Sequence, residues 1–179
     1  MTDAPTAGGK RRIDEVLGSG FVDDLGSLET PEVRRRRDLA KAELEYVSFL
    51  RRLLQGRRDI LRDELDRRRT DGAAPDVVER VVSALSEGIR GPSQGRAPTV
   101  PLPEDEIAMA RRRVEKLVGD TALSDLETLT DDRLEEAIGR IEEEERGVSE
   151  RRAQIITVAD TLHEEMKRRL RSELSNLSQ

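Results

Sequence analysis

The chain of 179 residues is long enough for one domain of ordinary size, yet 39% of it is charged, 35% is hydrophobic, and it holds one Tyr, two Phe and no Trp. That balance excludes a thick globular core and suits long helices packed along narrow seams. A net charge of −6 argues against a general nucleic-acid binder, and the absence of cysteine with a single histidine, His163, leaves no thiol nucleophile or soft-metal cluster.

Residues 1–12 are small, polar and basic, without the apolar stretch of a signal sequence, and read as a disordered tail ahead of one helical domain over residues 13–179. The apolar residues from Ile13 to Leu28, interrupted by Gly18-Ser19-Gly20, predict short helical pieces. Thr30 as N-cap, Pro31 at the first helical position and Glu32 in the first turn then open a long helix over residues 31–70, ~60 Å in length. A shorter amphipathic helix follows over residues 76–90. Residues 91–103 form a Pro-rich linker, and residues 104–118 are helical again by period. Thr130 caps a second long helix over residues 131–174, with Asp131 and Asp132 placed against its dipole. No apolar run approaches the ~20 residues that cross a bilayer, so a cytoplasmic protein without a membrane partner is expected.

The second long helix carries a seam with the 4-3 spacing of a heptad: Leu134, Ile138, Ile141, Glu145, Val148, Arg152, Ile155, Ala159, Leu162 and Met166. Shifted back by 101 positions, the first reads Val33, Arg37, Ala40, Leu44, Val47, Arg51, Leu54, Arg58, Leu61 and Leu65 in the same frame. The fold class is therefore all-α, an antiparallel two-helix coiled coil with shorter accessory helices. The same shift matches Leu44, Ser48, Arg51, Gln55 and Asp59 to Glu145, Ser149, Arg152, Ile156 and Asp160, so Ser, Arg and Asp recur identically. Steps of four, three, four and four hold each set within a stripe about 80° wide on a helix.

Arg51, Glu145 and Arg152 occupy seam positions, where a heptad wants leucine and a charged head costs desolvation. One account is that the arginines lay their stems over the seam and pair with acids across it. The other is a ligand: Arg suits the O6 and N7 acceptors of guanine, and an Asp carboxylate can accept from the N1 and N2 donors on its other edge. Two equivalent stripes, with Arg51 and Arg152 on the same side of the helix pair, would suit a two-fold-symmetric guanine dinucleotide.

The two stripes resemble the RsiG family of bacterial anti-sigma factors, whose signature Glu-x3-Ser-x2-Arg-x3-Gln-x3-Asp lies on each of two helices of an antiparallel coiled coil. Here the first copy supplies Ser48, Arg51, Gln55 and Asp59, the second supplies Glu145, Ser149, Arg152 and Asp160, and Phe49 to Leu61, FLRRLLQGRRDIL, is the most family-like stretch. The sequence departs from the pattern at Leu44, flanked by Glu43 and Glu45, and at Ile156. The resemblance implies cyclic di-GMP as regulatory ligand, bound as a stacked dimer, and a WhiG-like sigma factor of sporulation as partner. It implies no catalytic step, no direct DNA or RNA contact, and a chain that is monomeric before the complex forms. A coiled-coil scaffold or adaptor that binds no nucleotide is the alternative. A helical nucleic-acid binder using Arg34 to Arg37, Arg111 to Arg113 and the motif arginines is a further one, opposed by the acidic residues around each cluster.

Overall fold

The computed structural model describes residues 11–70, 102–118, 126 and 128–177. Its helices are α1 (Arg12–Val16), α2 (Thr30–Arg69), α3 (Glu104–Val118) and α4 (Asp131–Leu177), with a 3-10 turn at Leu25–Ser27, and there is no strand among the described residues. The fold is all-α, with two long packed helices. α4 runs three residues past the expected end at 174, and α1 opens at Arg12, inside the segment read as a tail. The helix expected over residues 76–90 and most of the linker lie outside the described residues.

The chain divides into two compact units, Met1–Leu44 with Arg151–Gln179, and Glu45–Glu150. Each unit combines the start of one long helix with the end of the other. In the first, Val16, Phe21, Leu25, Val33, Ala40, Ile155 and Leu162 are buried; in the second, the helix seam is joined by Ala110, Val114 and Val118 of α3. The heptad frame explains the pattern, because Val33 and Leu134, Ala40 and Ile141, Val47 and Val148, Leu54 and Ile155, and Leu61 and Leu162 are buried in matched pairs 101 residues apart.

The repeat reaches well beyond the seam. Arg12 of α1 donates to the buried Glu43 at 2.6 Å, and its equivalent Arg113 of α3 is paired with Glu144. Arg68 donates to the Leu126 carbonyl at 2.7 Å and to Asp131 at 3.0 Å, while its equivalent Arg169 donates to the Leu25 carbonyl at 2.6 Å and to Thr30 at 3.0 Å. Each of these arginines is held by an acid one turn earlier, Glu64 at 2.8 Å and Glu165 at 2.7 Å. Both units are thus closed by one device, an arginine near the end of one long helix clipping the turn that leads into the other, with the helices antiparallel.

Thr30 illustrates what the tertiary structure changes. Its hydroxyl accepts from Arg169, whereas Thr130 accepts from the backbone N–H of Arg133 at 3.4 Å, three residues into α4, as an N-cap does. Between α1 and the 3-10 turn, a Cβ on Gly18 would lie 2.9 Å from the Asp14 carbonyl oxygen, and Gly20 has φ +89°, so the Gly-Ser-Gly stretch permits a close turn that other residues would strain. The turn is fastened by Arg36, which donates to the Phe21 carbonyl at 2.7 Å and lies 5.7 Å from the centre of its ring.

Candidate functional site

Within the Glu45–Glu150 unit, the first motif copy on α2 meets the first half of the second copy on α4. Arg51 Nε donates to Ser149 Oγ at 3.0 Å and lies 3.5 Å from Glu145 Oε1. Gln55 Nε2 donates to the same carboxylate oxygen at 2.7 Å. The partners step one residue along α2 for each residue back along α4, which is the antiparallel register expected from matching seams. Charged heads at seam positions compensate one another here: Glu145, with 14% of its side chain exposed, is the common acceptor.

The third donor to Glu145 was not among the expected site residues. Arg58 Nη1 reaches Glu145 Oε2 at 2.7 Å, while its Nη2 donates to Asp59 Oδ1 at 2.8 Å. Partial burial alone would lower the Arg58 pKa, but the hydrogen bond to Asp59 and the fields of Asp59, Glu145 and Glu142 outweigh it and raise the pKa above the ordinary arginine value. The guanidinium therefore ties two motif carboxylates together. The available signal was its seam position, the same anomaly that singled out Arg51; its repeat equivalent is Ala159, so the second copy lacks this arginine.

The other motif residues are placed as follows. Ser48 is buried at 8% exposure, and Asp59 stands in solvent apart from its bond to Arg58. Arg152, half-buried, and Asp160, exposed, belong to the other unit, so the second copy is divided between the two units. At the departures, Leu44 is only partly buried, and the acid engaged near it is its neighbour Glu43, held by Arg12; Ile156 is half-buried. His163 is exposed on α4. Gly56, beside the stripe, has nothing within 4 Å of where a Cβ would stand, so no close approach within the chain accounts for it.

Chemically, this cluster is a set of exchangeable partners. Arg51, with 38% of its side chain exposed, could give up a serine hydroxyl and a glancing ion pair for a planar acceptor pair such as a guanine edge, and Glu145 would still keep Gln55 and Arg58. Among the described residues, no cluster of His, Asp and Glu is arranged to hold a metal ion, and no helix is long and apolar enough to cross a membrane.

Compared with known families, the RsiG-like family model matches residues 19–85, a span that holds α2 and the first motif copy. The match supports an RsiG-type protein, and that family is regulatory and not enzymatic. No curated protein matches the chain.

Proposed function

We propose that this RsiG-type chain is a cytoplasmic anti-sigma factor that binds cyclic di-GMP through its two motif copies and holds a WhiG-like sigma factor in a nucleotide-dependent complex. The family match suggests the anti-sigma role and implies a sigma-factor partner. The observation that carries the nucleotide reading is the convergence of Arg51, Gln55, Ser149 and Glu145, contributed by both long helices, into one polar cluster, with Arg51 and Glu145 at seam positions where packing alone would favour leucine.

In this reading Arg51 and Arg152 take guanine O6 and N7, and Asp59 and Asp160 accept from the opposite guanine edge. Ser48 and Ser149 offer short donors to phosphate. A stacked pair of cyclic di-GMP molecules carries four phosphate charges, more than this acidic helix pair would neutralise by itself, so the sigma factor completes the site. Nucleotide and sigma factor then share one coupling free energy, and each tightens the other by the same factor. Falling cyclic di-GMP releases the sigma factor without a chemical step.

The self-satisfied state of the cluster also fits a coiled-coil adaptor that binds no nucleotide, and one titration separates the two. Cyclic di-GMP is titrated into the protein with and without the sigma factor, and cyclic di-AMP serves as control. The proposal expects binding that is specific for the guanine nucleotide and tightened by the sigma factor. No heat of binding in either condition would leave the adaptor reading.

A further inference from the structure

The repeat places equivalent positions of α2 and α4 in both units, and the side chains there differ in sign. In the Glu45–Glu150 unit, Arg62 pairs with Glu142 and Arg69 with Glu135, and these four, with Asp66, help to line a groove of about 510 Å³. A shift of 101 residues carries the same positions to His163, Lys41, Leu170 and Arg34 in the other unit, so that both acids are replaced by cations. The register is preserved, because the Arg169–Thr30 contact repeats the Arg68–Asp131 contact. Lys41 therefore lies opposite His163, and Arg34 opposite Leu170.

All four are exposed. Leu170 is 57% exposed, and Leu174, one turn further along the same stripe, is 56% exposed. Of the nearby acids, Asp38 is engaged with Arg37 and Glu164 with Lys167, while Arg34 and Lys41 hold no ion pair among the described residues. In a chain of net charge −6, this face sets two cations, Arg34 and Lys41, beside two exposed leucines.

We propose that this face docks an acidic amphipathic helix of the protein partner, its Asp and Glu side chains meeting Arg34, Lys41 and His163 and its apolar residues covering Leu170 and Leu174. The identity of that partner as the sigma factor rests on the function proposed above; the chemistry of the docked helix rests on the face itself. A nucleic acid would satisfy the cations but leave the leucines in water, and the acidic balance of the whole chain would repel it.

The test uses the full chain with a purified WhiG-like sigma factor in the presence of cyclic di-GMP. Exchanging both cations for acids, Arg34→Glu with Lys41→Glu, should weaken sigma-factor binding by about tenfold or more and flatten its salt dependence. Leu170→Ser with Leu174→Ser should weaken it with the salt dependence kept. Helicity should be unchanged, because every altered side chain is exposed. Unaltered sigma-factor affinity in both double variants would overturn the inference while leaving the proposed function standing. A parallel loss of cyclic di-GMP binding by the isolated chain, or binding of random duplex DNA that the charge exchange abolishes, would also overturn it in favour of an anion site. Failure of the unaltered chain to bind the sigma factor at all would remove the proposed function, and this inference with it.

Discussion

Arg51→Ala separates the ligand's requirements from the fold's. In the free protein the side chain makes one hydrogen bond to Ser149 at 3.0 Å and a 3.5 Å ion pair to Glu145, and it is 38% exposed. A hydrogen bond of this kind contributes roughly 1 kcal/mol, and an ion pair at that exposure adds at most a few tenths. Glu145 is not orphaned by the change, since Gln55 and Arg58 still donate to it, so no large penalty for a buried unpaired charge arises. The expected stability loss is therefore about 1 kcal/mol. If Arg51 reads guanine, the same truncation removes a bidentate contact of ~1–3 kcal/mol, a weakening of about 5- to 150-fold in cyclic di-GMP affinity. Arg152→Ala should weaken binding comparably from the second copy. Urea denaturation followed by far-ultraviolet circular dichroism gives the stability, and calorimetric titration gives the affinity. Unchanged nucleotide affinity in both variants, or a loss of helicity large enough to explain the whole effect, would refute the reasoning.

Removing either clip should cost more stability: Arg68→Ala and Arg169→Ala each break a charge-assisted hydrogen bond to Glu64 or Glu165 and another to a backbone carbonyl, and each should lower the unfolding free energy by roughly 3 kcal/mol in urea titrations. Gly56→Ala should stabilise the chain by up to ~1 kcal/mol because a Cβ meets nothing there; a fall in cyclic di-GMP affinity in the same variant would show that ligand approaches the helix at that point. Glu64 and Glu165 are each held at a pKa of about 2, below 4.5, chiefly by hydrogen bonds from Arg67 and Arg68 and from Arg168 and Arg169. Because the folded-state pKa is the lower one, their stabilisation is fully present above pH 4.5 and lost as pH falls from 4.5 towards 2, so the urea midpoint should be flat from pH 7 to 5 and decline below that window.

The long helices, their shared seam and the pairing of Val33 with Leu134 or Leu61 with Leu162 as equivalent core positions were legible in the sequence, because helical periodicity and capping are local properties written at a spacing of three and four residues. The anomaly of charged seam residues was legible for the same reason, and it led to Arg51 and Glu145. Which charges meet was decided only in three dimensions. Arg58 reaches Glu145, Arg12 takes Glu43 beside the departing Leu44, and Arg169 claims the hydroxyl of Thr30 that local rules assign to capping. The division into two units was likewise beyond a linear reading, since one unit joins the two ends of the chain and the other is its middle, Glu45–Glu150. In a chain so rich in arginine and acids, composition offers many possible partners for every charge. Only the antiparallel register, fixed by burying the apolar seam, selects among them.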